Sequence, residues 1–302
     1  VRKLFKRYPS DFAEVHGMAR TLEWGPSWQK GIYVDDWGVV WKNLQDGVIG
    51  QPITHPLSDW KNLETYELPD PFKGFEKINE AVSTATHERY MLAGEGACGG
   101  IWHRLHALRG FDRILTDIVK GRKELLALID RLVEINIEYL NRLVELNIDG
   151  VMFGDDWGTQ TRLMIKPEQW RKYFKPAYEA MFNVVRRSGK HIFFHSDGYM
   201  VDIIPDLIEI GVNVANVQVT LMGVEELRHR FGGEVCIAAD VDRQHTMPFG
   251  TVREVRRLVR SIVRRFRGFS GGLILYGEIG PDVPIENAES MLKALQDYGN
   301  EV

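Results

Sequence analysis

The chain has 302 residues, a net charge of −4, and 44% hydrophobic and 26% charged residues, proportions that suit a globular protein with a sizeable core. The slight negative charge argues against a nucleic-acid partner, and the absence of any run of 18 apolar residues argues against a membrane span. The two cysteines, Cys98 and Cys236, lie far apart. They predict neither a disulfide framework nor a thiolate metal cluster, and they fit a cytoplasmic location.

Residues 1–88 predict an elaboration in front of the main fold. Aromatic and small residues alternate through 31–43, which is typical of a hairpin, and 56–71 is loop-like. The first residue is Val1 rather than Met, so we expect that an N-terminal segment precedes this sequence.

From about residue 89 onwards, short apolar runs alternate with longer amphipathic stretches. The runs, each a predicted strand, are 89–96, 149–156, 190–197, 213–220, 234–240 and 272–278. The stretches, each a predicted helical region, are 116–148, 166–189, 201–210, 250–266 and 284–298. Continuous apolar strands that alternate with helices predict a parallel sheet covered on both faces.

Polar residues stand at the end of nearly every predicted strand. They are Glu95, Asp155, Asp156, His195, Asp197, Gln218, Asp240 and Glu278. The carboxyl ends of the strands converge in a (β/α)8 barrel, whereas an open sheet would spread them along a line. The sequence contains no P-loop, which weakens the case for an open nucleotide-binding sheet. We predict an α/β fold, a (β/α)8 TIM barrel that forms one domain over 1–302 with 89–302 as its core.

The motif His195-Ser196-Asp197 follows the apolar run 192–194. Residues i and i+2 of a strand point to the same side, so His195 and Asp197 could both reach one metal ion. Glu278, at the end of a later strand, is the candidate third ligand, because three protein ligands with one open position are typical of catalytic zinc. The alternative is a His–Asp hydrogen bond that only holds a loop in place.

The pair Asp155-Asp156 ends another predicted strand. Two neighbouring carboxylates repel each other, which raises the pKa of one of them when both are buried and suits proton donation or substrate orientation. Trp157 would offer a flat wall to a substrate. Alternatively, one of the two aspartates caps the turn into a helix, and both roles can hold, one residue each.

The remaining strand ends supply further candidates for the site. Glu95 lies among small residues and Asp240 ends a strand, and we assign both, together with the aspartate pair, to catalysis. The candidate substrate contacts are Trp157, Tyr199, Gln218, Tyr276 and His103. A purely structural role is the alternative for the histidine and the aromatic residues.

Five stretches occur in a characteristic order along the chain. They are "GDDWGTQT", "KPEQWRKYFKPAYEAM", "GKHIFFHSDGYMVDIIPDLIEIGV", "AADVDRQHTMPFGT" and "GEIGPDVPIENAESM". Together they resemble the uroporphyrinogen decarboxylase-like superfamily over roughly 89–300, which implies a (β/α)8 barrel. One branch of that superfamily comprises metal-free decarboxylases with an Arg-rich motif near the N-terminus that holds tetrapyrrole carboxylates, and residues 1–60 contain no such motif.

The other branch comprises corrinoid-dependent methyltransferases. Those that act on coenzyme M bind zinc through a His-x-Cys motif and a later Cys, positions that correspond here to His195, Asp197 and Glu278. Both cysteine positions therefore hold carboxylates, so the resemblance implies a harder divalent metal centre, with zinc the first expectation, suited to activating a methoxy oxygen.

The activity implied by the resemblance is methyl transfer from an aryl or alkyl methyl ether to the corrinoid cobalt of a partner protein. The chain would be the first component of an O-demethylase system. The alternatives are a cofactor-free decarboxylase, a methylcobamide:thiol methyltransferase and a non-catalytic barrel that only binds a corrinoid protein or a tetrapyrrole. For its assembly, a homodimer is one option.

Overall fold

The computed structural model describes residues 2–15, 28–85, 89–94, 96–268 and 272–299. Its strands are β1 Phe12–Val15, β2 Gly31–Val34, β3 Val40–Asn43, β4 Gln51–Thr54, β5 Tyr90–Gly94, β6 Gly150–Gly154, β7 His191–Ser196, β8 Val214–Val217, β9 Cys236–Asp240 and β10 Leu273–Tyr276. Its helices are α1 Arg2–Arg7, α2 Phe75–Thr84, α3 Ile101–Arg109, α4 Phe111–Lys120, α5 Lys123–Leu143, α6 Pro167–Tyr173, α7 Lys175–Arg187, α8 Ile204–Glu209, α9 Val219–Met222, α10 Val224–Phe231, α11 Thr246–Phe249, α12 Val252–Phe266 and α13 Ile285–Gly299. The alternation predicted from residue 89 onwards is confirmed, since all six predicted strands are present as β5 to β10.

The chain divides into two compact units. Unit 1 comprises Val1–Ala13, Asp156–Pro167 and His191–Val302, and unit 2 comprises Glu14–Asp155 and Glu168–Lys190. The units interleave along the sequence, so they neither match nor exclude the predicted boundary at residue 88.

Unit 1 contains four parallel strands in the order β7-β8-β9-β10. The registers pair His195 with Asn216 and Asn216 with Ala238. Farther along, Tyr276 pairs with Asp240. Every residue of β8 is buried, as expected of a parallel strand that is covered on both faces. This register brings the polar residues at the ends of β7, β8, β9 and β10 to one edge of the sheet.

The helices α12 and α13 cover part of unit 1. Their buried side chains form one apolar cluster with Val241 and Met247, and those side chains are Val255, Val259, Met291 and Ala294. The arginines of α12 include Arg256, which pairs with Asp297 of α13 at 2.8 Å. The helical region predicted at 250–266 is therefore an amphipathic helix with an apolar face in the core and a charged face outside.

Unit 2 contains the parallel pair β5-β6 and a separate antiparallel sheet in the order β2-β3-β4. The strands β2 and β3 form the hairpin that the alternation through 31–43 predicted. Its turn is held by Asp35, whose Oδ1 accepts the N–H groups of Trp37 and Val39. Gly38 lies in the same turn with φ of 72°, a left-handed conformation that favours glycine.

Two long predicted helices are each interrupted. The stretch 116–148 contains the end of α4 and the whole of α5, because Gly121 adopts φ of 64° and ends α4. The stretch 166–189 contains α6 and α7, which are separated at Phe174. Pro176 causes that break, because proline has no backbone N–H to donate and its ring would clash with the carbonyl group four residues earlier in a continuous helix.

None of the helices within the described ranges is both long and apolar enough to cross a membrane. The longest, α5, has 21 residues and carries acidic and basic side chains along its length.

A capping box starts α12. The Thr251 hydroxyl accepts the N–H of Glu254, and the Glu254 carboxylate accepts the N–H of Thr251 at 2.7 Å. We predict that Thr251→Ala lowers the free energy of unfolding by about 1 kcal/mol, because an N–H of the first turn loses its acceptor. Urea denaturation measures this, and Thr161→Ala, at an exposed position, is the control that should stay within about 0.5 kcal/mol of the wild type. Equal stability of both variants would contradict a role for the cap.

Candidate metal centre and active site

Two loops of unit 1, 156–159 and 196–199, are joined by hydrogen bonds, and we call this pair the loop clamp. The N–H of Gly158 donates to the carbonyl oxygen of Asp197 at 3.1 Å. The N–H of Asp197 donates to Oδ1 of Asp156 at 2.8 Å. The clamp therefore fixes the Asp156 carboxylate beside the backbone of Asp197.

Two glycines allow the two loops to approach this closely. A Cβ atom on Gly198 would lie 2.2 Å from the carbonyl oxygen of Gly158, and a Cβ atom on Gly158 would lie 2.2 Å from the amide nitrogen of Tyr199. Gly198 also has φ of +78°. A side chain at either position would force the loops apart, so the clamp requires glycine at both.

Asp156, His195 and Asp197 form a cluster with metal-ligand chemistry. One ligand atom from each of the three lies within 4.8 Å of the others. His195 Nε2 is 3.4 Å from Asp197 Oδ1 and 3.8 Å from Asp156 Oδ1. All three side chains are half-buried. One imidazole nitrogen and two carboxylate oxygens are ligands that zinc and other divalent ions accept, so these residues fit such an ion.

Asn216 orients the imidazole of His195. The Asn216 side-chain amide donates from Nδ2 to the carbonyl oxygen of Ala238 at 3.0 Å, so its Oδ1 faces His195 Nδ1 at 2.7 Å. Nδ1 therefore carries the proton and donates it to Asn216, which leaves Nε2 directed at the two carboxylates. A metal-binding histidine commonly has this arrangement, in which the second ring nitrogen is held by a hydrogen bond.

The charge around His195 favours a cation at Nε2. Burial by itself would lower the pKa of His195, but the hydrogen bond to Asp197 and the charges of Asp197 and Asp156 raise it, and the net shift is upward. The carboxylates thus favour the protonated form of the imidazole. A divalent ion bound at the same nitrogen would replace that proton.

Arg243 connects three carboxylates at this edge of the sheet. Its NH2 group bonds Oδ1 of Asp197 and its NH1 group bonds Oε2 of Glu278. Its Nε lies 3.4 Å from Asp240 Oδ2. In the structure the second carboxylate facing His195 is that of Asp156, whereas Glu278 is a partner of Arg243. The assignment of Glu278 as a metal ligand stays a prediction.

Asp240 is buried, with 5% of its surface exposed, and its Oδ1 has no hydrogen-bond partner among the residues that the structure describes. Burial is the largest cause of a pKa raised to about 7, and the charge of Arg243 opposes it. Next to this carboxylate is a cavity of about 10 Å³, lined by Gln218, Thr220, Leu221, Asp240, Asp242, Arg243 and Gln244. That volume holds about one water molecule.

Asp155 occupies a different place, within unit 2. It is fully buried, and its carboxylate accepts the N–H groups of Trp102 and His103, each at 2.9 Å, and the hydroxyl of Tyr178 at 2.5 Å. Burial raises its pKa, and His103 and Tyr178 oppose that shift. Asp155 therefore caps the N-terminus of α3. Glycine is required at position 100, because a Cβ atom there would lie 2.0 Å from Asp155 Oδ1. The geometry therefore favours a different role for each aspartate: Asp155 caps a helix, and Asp156 faces the candidate metal centre.

Two predicted substrate contacts, Trp157 and Gln218, are buried. The indole of Trp157 is fully buried, so in this conformation it supports the site from within the core and offers no open wall. The Gln218 side-chain oxygen accepts the N–H of Gly198 at 2.9 Å, which ties the end of β8 to the loop clamp.

The other predicted site residues are more accessible. Tyr199 and Tyr276 are half-buried, and His103 Nδ1 lies 3.4 Å from Asp155 Oδ1 with 49% of its side chain exposed. Their roles in substrate binding stay predictions. Glu95 lies outside the described residues.

Asn216 and Arg243 were not assigned from the sequence, although a signal existed for both. Asn216 lies two residues before Gln218 near the end of β8, so the strand period places it on the same side. Arg243 lies three residues after Asp240, in a loop that follows a strand rich in small residues. A basic residue beside several strand-end carboxylates would have suggested an ion pair.

The uroporphyrinogen decarboxylase (URO-D) family profile matches residues 44–298 of this chain. The uroporphyrinogen decarboxylase of Actinobacillus succinogenes is 23% identical over 262 residues, which cover 82% of this chain and 72% of the relative. That of Psychromonas ingrahamii is 24% identical over 265 residues, with coverages of 82% and 71%. A solved structure, a methyltransferase from Methanosarcina mazei, matches with a TM-score of 0.68 at 17% identity, covering 87% of this chain and 76% of that one.

The chain belongs to the uroporphyrinogen decarboxylase family. The match confirms the superfamily that the five sequence stretches resembled and the predicted fold class, the α/β TIM barrel. The methyltransferase, at 17% identity, shows a shared fold. The chain is thus an enzyme of the URO-D superfamily, in which both methyltransferases and decarboxylases occur.

We predict that Asp155 has a structural role and that its neighbour Asp156 has a functional one. Asp155→Asn should lower the free energy of unfolding by about 1–3 kcal/mol, because an amide NH2 would face backbone N–H donors in a buried site. Asp156→Asn should leave stability nearly unchanged and weaken zinc binding by about tenfold or more. Denaturant unfolding and zinc titration of both variants measure this, and a reversed pattern would contradict the assignment.

We also predict that Glu278→Gln changes the zinc dissociation constant by less than about threefold, since rim charges that do not bind the ion act only through screened electrostatics. Glu278 is 49% exposed and pairs with Arg243. Zinc titration of Glu278→Gln beside Asp156→Asn measures the difference. A loss in Glu278→Gln as large as in Asp156→Asn would instead make Glu278 a ligand, as the sequence resemblance implied.

Proposed function

We propose that the protein is a metal-dependent methyltransferase that moves a methyl group from a methyl ether to the cobalt of a corrinoid protein, as the first component of an O-demethylase system. The observation that carries this proposal is the direction of His195 Nε2 toward the carboxylates of Asp156 and Asp197. A divalent metal held by these residues supplies Lewis acidity toward an ether oxygen. Because the ligands are oxygen and imidazole nitrogen, the site favours a harder ion than a thiolate site would.

The chain's own residues prepare this site in three ways. Asn216 keeps the imidazole in one orientation, so Nε2 needs no reorganisation to bind. The loop clamp holds Asp156 and Asp197 at a fixed separation through the backbone of Asp197. Asp240, with a pKa of about 7, is a group that could hold or give up a proton near neutral pH. The half-buried rings of Tyr199 and Tyr276 are the candidates for packing against an aryl group.

A cofactor-free decarboxylase is the second candidate, because the curated relatives are named uroporphyrinogen decarboxylases. Such a substrate carries several carboxylates and needs cationic partners. Among the residues that the structure describes, the edge of the sheet instead places four carboxylates, those of Asp156, Asp197, Asp240 and Glu278, near the guanidinium of Arg243, which is already paired. This charge would repel a polycarboxylate, so it favours an ether substrate and a metal ion.

We predict that the purified protein binds about one divalent ion per chain and transfers methyl groups from at least one aryl or alkyl methyl ether to cob(I)alamin. His195→Ala should lose both the metal and the transfer, because Nε2 is the only nitrogen in the cluster. His229→Ala, which changes an exposed histidine of α10, is the matched control and should retain both. Elemental analysis and the absorbance change of the cobalamin during anaerobic methyl transfer measure the two properties.

The contrary outcomes are distinct. Decarboxylation of uroporphyrinogen by a metal-free protein, unchanged in His195→Ala, would favour the decarboxylase. A metal that stays bound without transfer from any of a broad panel of ethers would leave the metal centre in place and contradict the proposed reaction. Transfer from methylcobalamin to a thiol would favour the thiol methyltransferase.

A further inference from the structure

We infer that Arg243 is a resident cation of the metal centre, which must release Asp197 when a divalent ion binds, and that Asp240 accepts the released guanidinium. Arg243 would then be a positioning residue that sets the affinity for the ion. The inference rests on the metal centre proposed above.

The ion and Arg243 compete for one atom. The oxygen that Arg243 NH2 bonds is Asp197 Oδ1, and this same oxygen lies 3.4 Å from His195 Nε2. The Asp197 carboxylate is also one of the three groups of the cluster. A divalent ion between His195 and Asp197 would therefore lie against the guanidinium, and like charges at such a separation repel strongly in a partly buried site.

Arg243 is held by further carboxylates besides that of Asp197. Its contact with Glu278, a 49% exposed carboxylate, lies on NH1, whereas its contact with Asp240 lies on Nε, closer to the backbone. The loss of Asp197 would leave these two partners in place. The guanidinium can therefore withdraw from the cluster without becoming an unpaired buried charge, which would be costly.

A hydrogen-bond acceptor is available for the guanidinium of Arg243 once it leaves Asp197. Asp240 Oδ1 is buried and has no hydrogen-bond partner in the described part of the chain, although buried carboxylate oxygens are nearly always hydrogen-bonded. Asp240 and Arg243 both line the cavity of about 10 Å³. A small rotation of the guanidinium into this space would satisfy the orphan oxygen and free Asp197 Oδ1 for the ion.

The experiment is a zinc titration in competition with a chromophoric chelator, on the whole chain after treatment with EDTA. Arg243→Gln should bind zinc about tenfold more tightly than the wild type or better, because the competing cation is gone. Arg243→Lys keeps the charge but lacks the planar fork that bonds two carboxylates through separate nitrogens, so its zinc affinity should lie between those of the wild type and Arg243→Gln. Arg256→Gln, which removes the α12 guanidinium that pairs with Asp297 of α13, is the control and should match the wild type.

Asp240 is tested by a double-mutant cycle. Asp240→Asn should weaken zinc binding in the wild-type background by about threefold or more, because Arg243 loses the carboxylate that receives it, and should weaken it clearly less in the Arg243→Gln background. A direct charge effect of Asp240 on the ion would persist in both backgrounds. Circular dichroism spectra confirm that each variant is folded, and Arg243→Lys carries the test if Arg243→Gln does not fold.

The failures are separable. Zinc binding that is unchanged or weaker in both Arg243→Gln and Arg243→Lys overturns the inference while the metal centre stands. Equal weakening by Asp240→Asn in both backgrounds overturns the role of Asp240 as the acceptor. If neither the wild type nor any variant binds zinc, the proposal of a metal centre is wrong, and the inferred competition between the ion and Arg243 is wrong as well.

Discussion

The hydrogen bond between His195 Nδ1 and Asn216 Oδ1 is the interaction on which the site depends. Because the Asn216 amide is itself fixed by the carbonyl of Ala238, the imidazole has one orientation and presents Nε2 to the carboxylates. The loop clamp then determines which carboxylates those are, since the backbone of Asp197 holds Asp156 in place. A metal centre needs ligand atoms that are positioned before the ion arrives, and these two devices supply that positioning from the strands and from their first loop residues.

Charge is the second constraint. Within the part of the chain that the structure describes, four carboxylates and one arginine at the edge of a parallel sheet leave a negative excess. The carboxylates of Asp197 and Asp156 raise the pKa of His195, and Arg243 is firmly paired. The same excess favours a divalent cation and disfavours a polyanionic substrate. Membership of the URO-D family is compatible with either chemistry, so the charge and the donor atoms, more than the fold, support the methyltransferase.

Much of this arrangement was predictable because it follows from periodicity. The strand period of two placed His195 and Asp197 on one side, and the parallel β/α order placed the strand ends together. What periodicity could not give was the lateral register, which sets Asn216 beside His195, and the path of a long side chain such as Arg243. Nor could it separate Asp155 from Asp156, because their roles depend on α3 capping in one case and on the loop clamp in the other. The breaks at Gly121 and Pro176 show the same limit for the helices, where local backbone rules override an amphipathic pattern.

The measurement that tests the central claim most directly is a crystal structure of the zinc-loaded protein with anomalous diffraction recorded on both sides of the zinc absorption edge. The account predicts one strong zinc peak within bonding distance, about 2.0–2.2 Å, of His195 Nε2 and of the carboxylates of Asp156 and Asp197. A zinc-loaded crystal with no peak at His195, or with its peak at residues outside this cluster, would contradict it.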